Sequence, residues 1–391
     1  MTTDTVTFIG GKIFDGSELL VDHCALFVDG HCTEVKAEIA SIDQGEVINL
    51  NGDILSVGFA DLQVNGGGGI MLNDGPCVQN LSAIAEAHRN LGTTCFLPTL
   101  ISDTPEITSA AIDAVKQAIE KNVPGVAGLH LEGPHLSVVK KGAHDAQLIR
   151  PMESEDLRVL QEAAKDLPCL MLTVAPENVT SQQVKSLAQA GAIVALGHTD
   201  ADYDTCVEYH QAGARCVTHL FNAMSQLGSR EPGLTGAAID CDAMNVGLIA
   251  DGVHVHPSSI RVAWNAKTAS DTFYLVTDAM APAGTDQQSF TLNGRTIYRR
   301  DGRLTLADDT LAGADLDLGS AIRFMHREVG IDLQSILRSA ITVPRSVLSQ
   351  GANWTDSSGA GNTSLTGTRM EDVIRISDDL QSVTPLASAI Q

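Results

Sequence analysis

Four residues able to bind metal or move protons stand where apolar runs of the chain end: Glu132, His198, His219 and Asp278. Glu132 closes the run from Val123 to Leu131, and Gly133-Pro134 stops the strand immediately after it. A carboxylate buried at such a place is costly unless it is paired or ligates a metal. Taken singly, each of the four reads as an ordinary hydrogen-bonded residue; the recurrence of the pattern gives them a joint meaning. Two imidazoles and one carboxylate are a known catalytic zinc set, with the remaining position left to water. A metal in such a site brings the pKa of bound water towards neutrality. A neighbouring carboxylate that is not a strong ligand, here Asp278, is suited to take the water's proton and return it to a leaving nitrogen. The set points to hydrolysis without choosing a substrate. His130 projects to the same side of its strand as Glu132 and is expected to support the ligand set.

The elements that must position these residues alternate from Asp53 onward. Strands are expected over Ile54–Val64, Thr93–Leu97 (ending at Pro98), Val123–Leu131, Cys169–Val174, Ala192–Leu196, Arg215–Thr218, Asn245–Ala250 and Thr272–Thr277. Helices are expected over Asn80–Leu91, Pro105–Lys121, Glu153–Lys165, Ser181–Ala190 and Asp202–Ala212. Eight such units in roughly 230 residues suit a (β/α)8 TIM barrel better than an open sheet, and barrel chemistry sits at the C-terminal strand ends. Before Asp53, short β-like runs are separated by Asp15-Gly16 and Asp29-Gly30 turns, which read as a small sheet layer. After Asp278, Asn293-Gly294 centres a hairpin over Ser289–Tyr298, and helical texture returns at Asp317–Glu328 and Asp332–Ile341. Gly351 to Gly367 reads as a loop, and Asp372–Ile376 as a strand rejoining the first 56 residues. The expected fold is α/β: a barrel over 57–344 with a second, small β-sandwich domain built from both termini, 1–56 plus 345–391.

With 25 basic and 48 acidic side chains the formal charge is −23, which argues against nucleic acid or an anionic membrane as main partner. An anionic substrate would need local cations. Eight scattered cysteines without a Cys-x-x-Cys pair read as reduced thiols of a cytoplasmic protein. No signal peptide is expected at the N-terminus, and no apolar run approaches the ~20 residues that span a bilayer.

At these residues the chain resembles the amidohydrolase superfamily and, within it, the N-acetylglucosamine-6-phosphate deacetylases. The matching motifs are His130-Leu-Glu-Gly-Pro, Lys141-Gly-Ala-His144, Gly197-His-Thr, Thr218-His-Leu-Phe-Asn-Ala-Met224, Ala250-Asp-Gly-Val-His254 and Val276-Thr-Asp-Ala279. They run in order through the barrel region, whereas Thr342-Val-Pro-Arg-Ser-Val and the tail match only loosely. The resemblance implies that Glu132, His198 and His219 bind the metal and that Asp278 is the acid/base. It implies that His144 polarises the acetyl carbonyl and that Asn222 and the Ala223 backbone contact substrate. Arg230 and His254 would hold a 6-phosphate, Arg230 reaching the neighbouring site of a homodimer. The implied substrate is N-acetyl-D-glucosamine 6-phosphate. N-acetylgalactosamine 6-phosphate, a cyclic amide, or a non-catalytic sugar-phosphate sensor are the rival readings.

Binuclear amidohydrolases carry His-x-His at the end of the first strand, where this chain has Asp61-Leu-Gln63-Val-Asn65. Gln and Asn are poor zinc ligands beside imidazole, so one divalent ion per subunit is expected. Zinc heads the candidates, with iron and other divalent ions also suited. Gln63 is expected to hydrogen-bond in the site, against substrate. The Gly66–Gly69 run lacks the Lys-Ser/Thr of a phosphate loop and reads as a tight turn at the barrel rim.

Overall fold

The computed structural model describes residues 5–37, 45–351, 353–354 and 361–389. Part of the expected 351–367 loop therefore lies outside the described residues. Eight strands, Phe59–Val64, Thr93–Ile101, Leu129–Glu132, Leu170–Val174, Ile193–Leu196, Ala214–Val217, Asn245–Leu248 and Phe273–Leu275, pair in sequence order. Every one of these pairings is parallel. Runs such as Leu170–Val174 and Ile193–Leu196 are buried throughout, as strands covered on both faces must be. The seam between the first and eighth strands is closed by a Val64–Ala279 bridge and by backbone bonds on both sides of it. Asp278 N–H donates to Gln63 O at 3.1 Å and Asn65 N–H to Ala279 O at 2.9 Å. Below them the Asp61 carboxylate accepts from Thr277 Oγ1 at 2.5 Å and from its N–H at 3.2 Å. Burial pushes the Asp61 carboxyl up to about 7.

Helices start where short polar side chains cap them. Thr104 precedes Pro105–Glu120, Asp202 caps Tyr203–Ala212 at 2.8 Å, and Thr180 with Gln183 forms a reciprocal capping box before Ser181–Gln189. Gly233–Asp240 and Pro257–Ala266 are two helices that the sequence reading did not mark. Gly-Leu-Thr-Gly is a poor helix former, and the first of them is held by burial on all sides, from Gly233 through Ala238, rather than by propensity.

Several strands differ from expectation for identifiable reasons. Ile54–Val64 is two strands broken at Gly58, because Ile54–Val57 belongs to a different sheet. A Cβ on Gly58 would stand 2.2 Å from Thr94 Cγ2, so the chain crosses between sheets where only glycine fits. The second barrel strand runs past Pro98 to Ile101; its pairing with the first strand slips between Phe96 and Pro98, where a missing N–H breaks no regular ladder. The third strand is only Leu129–Glu132, and the preceding residues run irregularly beside Phe96, which donates to Gly125 O at 2.7 Å.

The termini build two sheets rather than one layer. A four-stranded sheet holds Thr5–Ile9, His23–Val28, His31–Ala37 and Glu46–Asn49. A five-stranded sheet joins Lys12–Phe14, Leu19–Val21 and Ile54–Val57 to the C-terminal Val373–Ile376 and Val383–Pro385. Val373–Ile376 pairs antiparallel with Ile54–Val57, as expected of a returning tail. The expected hairpin after Asp278 gains a third strand, Arg303–Thr305, through a second turn at Asp301-Gly302. Helix Leu318–Phe324 passes into a π turn, Met325–Val329. The last barrel helix, Leu333–Leu348, continues through Pro344 and across residue 345. Arg345 Nη1 donates to Ile341 O at 3.0 Å within it, and Nη2 donates to Gly58 O at 2.9 Å. Among the described residues no helix is long and apolar enough to cross a membrane.

Candidate metal centre and active site

Glu132 ends the third strand, and His198, His219 and Asp278 follow the fifth, sixth and eighth by two or three residues. The backbone at His198, His219 and Asp278 is left-handed, with φ of 49°, 33° and 51°. For non-glycine residues this costs about 1–3 kcal/mol each and persists only where surrounding structure enforces it. All three turns point a polar side chain back over the barrel mouth.

His198 Nε2 and His219 Nε2 lie 3.3 and 3.1 Å from Glu132 Oε1 and 3.0 Å from each other. All three ligand atoms fall within 4.8 Å of one another, a grouping able to hold a metal ion. His198 Nδ1 donates to Lys140 O at 2.8 Å, which leaves the Nε2 lone pair facing the cluster. His219 Nδ1 has no partner among the described residues. Burial pushes the Glu132 carboxyl up, but the His144, His198 and His219 rings set around it outweigh that and hold the group well below the usual carboxylate range.

His144 completes one side. Its Nδ1 accepts from the Ser102 N–H at 3.2 Å and lies 2.8 Å from Ser102 Oγ, so the ring proton sits on Nε2. That Nε2 points at Glu132 Oε2, 3.5 Å away. Burial pushes His144 down to about 4, which keeps the ring neutral and a donor through Nε2. The loop before it is tied down by Arg295 of the inserted sheet, whose guanidinium donates to Ala143 O. That sheet packs Phe290, Leu292 and Ile297 on Met71, Ile101 and Met280 in an apolar cluster separate from the main core.

Asp278 lies on the other side. Its Oδ1 accepts from Asn65 Nδ2 at 2.7 Å and from Gln63 Nε2 at 3.1 Å. Gln63 Nε2 also donates to Glu132 Oε1 at 2.9 Å, so one amide bridges the two carboxylates. Burial and the Glu132 charge push Asp278 up to about 6. Gln63 thus sits inside the cluster, as a hydrogen-bonding residue should.

His130 does not support Glu132 as expected. Its Nδ1 donates to Leu62 O at 3.0 Å and its Nε2 lies 2.7 Å from Thr173 Oγ1, which is 2.6 Å from Thr218 Oγ1. These polar groups fill the barrel interior, and the ring is drawn inward because a buried carbonyl and hydroxyl there need partners. Gly66–Gly67 and Ile70–Met71 form the tight rim hairpin that the glycine run suggested.

Of the remaining expected residues, Asn222 is tied to the cluster's backbone, its Nδ2 donating to His219 O at 3.3 Å and Leu220 O at 3.2 Å. Ala223 adopts a left-handed φ of 48°. His254 Nδ1 donates to Asp251 Oδ2 at 2.6 Å, which orients the ring and helps hold Asp251 below its usual range against the opposing effect of burial. Arg230 is exposed in the loop before Gly233–Asp240, and among the described residues it makes no hydrogen bond or ion pair. Among the described residues no hydrogen bond links Ala223, His254 or Arg230 to the cluster. Sequence reasoning missed Asn65, Ser102 and Arg295. Asn65 carried one usable signal, its position two residues from Gln63, whereas Ser102 and Arg295 act across distances no local pattern reveals.

The same chain matches a family model described as the amidohydrolase family over residues 54–338. It is 42% identical to an N-acetylgalactosamine-6-phosphate deacetylase of Shewanella sp. (strain ANA-3), covering 85% of this chain and 86% of that one. An N-acetylglucosamine-6-phosphate deacetylase of Haemophilus influenzae is 36% identical over 82% and 84% of the two chains. The crystal structure of N-acetylglucosamine-6-phosphate deacetylase from Pasteurella multocida superposes with a TM-score of 0.87 at 32% identity, over 96% of each chain. A Mycobacterium smegmatis deacetylase in complex with N-acetyl-D-glucosamine-6-phosphate gives 0.86 at 26% identity, over 98% and 97%. With this barrel, this ligand cluster and a match spanning most of its length, the chain belongs to the amidohydrolase family.

Proposed function

We propose that this protein hydrolyses the acetamide of N-acetyl-D-glucosamine 6-phosphate, giving D-glucosamine 6-phosphate and acetate in amino-sugar catabolism or recycling. The observation that carries the reading is Asp278, linked through one Gln63 amide to the Glu132–His198–His219 cluster. Deacetylases of phosphorylated amino sugars among its relatives support the substrate class.

In this reading Glu132, His198 and His219 hold one divalent ion, Zn2+ first and Fe2+ as the alternative. Two imidazoles and a carboxylate suit such a cation. Gln63 and Asn65, at the place of a second ligand pair, engage carboxylates instead, which favours a single ion. When bound, the ion supplies water activation at neutral pH and polarises the carbonyl. Asp278 takes the proton of the attacking water and delivers it to the departing amine. His144, neutral and donating through Nε2, steadies the developing oxyanion beside Glu132. Asn222, the Ala223 backbone and Gln63 position the sugar. His254, oriented by Asp251, and Arg230, exposed and unpaired, take the phosphate, Arg230 serving the neighbouring subunit of a homodimer. We assign residues 1–56 and the chain beyond Leu348, where the last barrel helix ends past the expected 344/345 boundary, to a small domain and the residues between to the barrel, supported by the sheet shared between both termini. Eight free cysteines support a cytoplasmic setting.

N-acetylgalactosamine 6-phosphate is a second candidate, since the relative of 42% identity carries that name. Acetate release should be measured from both phosphorylated sugars and their unphosphorylated forms, with metal content on the same sample. Turnover of the phosphorylated sugars alone, with one metal per chain, is the expected result. No release from either, in fully metallated protein, would sink the assignment.

A further inference from the structure

The two oxygens of Asp278 are treated differently. Oδ1 accepts from Asn65 Nδ2 at 2.7 Å and Gln63 Nε2 at 3.1 Å, whereas among the described residues nothing hydrogen-bonds to Oδ2. Asn65 is itself buried and fixed through its backbone. Its N–H donates to Ala279 O at 2.9 Å, and its carbonyl accepts from Leu72 N–H at 2.9 Å. The chain is thereby clamped to the residue that follows Asp278. Rotating the Asn65 amide would set an oxygen against a carboxylate oxygen, so the charge of Asp278 itself orients the donor. The amide's own Oδ1 has no partner, so Asn65 spends a buried acceptor to keep its donor on Asp278.

We infer that Asn65 is a positioning residue for the proton transfer: it commits Oδ1 of Asp278 as an acceptor and leaves Oδ2 to carry the proton. The inference rests on the reading of Asp278 as the acid/base. The water's proton passes to Oδ2 as its oxygen forms the C–O bond to the acetyl carbon. The same proton returns from Oδ2 to nitrogen as the C–N bond breaks. A carboxylate free to rotate would present either oxygen and lose part of that alignment. The titratable groups facing Asp278 are Glu132, His219, His254 and Asp61, and Asn65 and Gln63 are the neutral donors set among them.

The test uses the metallated full-length protein and two variants, Asn65→Ala and the equal-sized Asn65→Asp. Expected is a fall in kcat of about 10- to 100-fold for Asn65→Ala, with KM within about twofold and metal content unchanged. The acid limb of its pH profile moves up, because the Asn65 donor favours the ionised carboxylate. Asn65→Asp, which replaces the donor with a second carboxyl, moves that limb further. Wild-type kcat and an unmoved limb in a folded variant would overturn the inference. So would a loss of activity matched by lost metal or early melting in both variants, the mark of a merely structural residue. Absence of acetate release from wild type is a separate failure, that of the deacetylase reading. In that event carbon NMR titration of the Asp278 carboxyl decides the role of Asn65, and no upward shift in Asn65→Ala rejects it.

Discussion

Between Glu132 and Asp278 stands a single Gln63 amide, donating to one oxygen of each. Burial, and after it the charge of Glu132, push Asp278 up to about 6, while Glu132, ringed by three imidazoles, is held ionised. A carboxyl poised near neutrality suits a group that accepts and returns a proton in one turnover. Asp278→Asn keeps the shape, removes the base and leaves Glu132, His198 and His219 untouched. Acetate release should fall by about 10²- to 10⁴-fold with metal content unchanged, and near-normal turnover would remove Asp278 from the mechanism. The pH dependence follows with a definite sign. The active base form is the ionised one, present above the raised pKa, so kcat/KM should hold above about 6 and drop tenfold per unit below it. A profile that rises towards low pH would assign Asp278 the opposite role. Where a His-x-His would ligate a second ion, amides here bind carboxylates, so site residues differ in function though not in place.

At the scale of elements, the strands must end in register for their carboxylate and imidazoles to meet. Gly128 stands just before the third strand, whose first residue, Leu129, donates its N–H to Cys169 O at 3.0 Å. A Cβ on Gly128 would stand 2.1 Å from that same carbonyl oxygen, and backbone cannot yield as a side chain would. Gly128→Ala should push the third and fourth strands apart and cost about 1–3 kcal/mol. Thermal melting checks this, and an unchanged melting temperature would show that the strands have room to separate. The His198 and His219 turns carry a similar lesson. Their left-handed backbones are tolerated because the strand before and the packed loop after leave no other route. The inserted sheet adds a support that the barrel lacks, its Arg295 holding the carbonyl just before His144.

For the whole molecule, the junction of barrel and terminal sheets is a point where one buried cation does a great deal. Arg345 donates to Gly58 O at 2.9 Å, tying the last barrel helix to the crossing between the two sheets. Arg345→Leu leaves that carbonyl without this donor and should cost about 1–3 kcal/mol, read as a lower melting temperature with near-normal kcat. An equal loss of kcat would mean the junction transmits to the site. Arg230 belongs to a larger scale still. If it serves the neighbouring site, Arg230→Ala should raise KM for the phosphorylated sugar about 10- to 100-fold while kcat changes little, as loss of a charge-assisted phosphate contact predicts. Unchanged KM would place the phosphate elsewhere.

How much of this was legible follows from the range of each interaction. Burial patterns are local, so the run of apolar strands ending in Glu132, His198, His219 and Asp278 could be read directly, and with it the barrel and the grouping of Glu132, His198 and His219 that could hold a metal. Hairpin glycines act within a few positions and were legible for the same reason. Pro98 misled because a neighbouring strand's slipped register overrode a local preference. Gly58 split a continuous apolar run because Thr94, far along the chain, occupies the space beside it. His130 faced the expected side yet found its partners in Leu62 and Thr173 rather than Glu132. The sequence by itself determined which residues stand at strand ends, since alternation and burial are written in neighbouring positions. Only the tertiary structure decided what each of those residues touches, down to which oxygen of Asp278 is held, since hydrogen bonds across a barrel seam join residues more than two hundred positions apart.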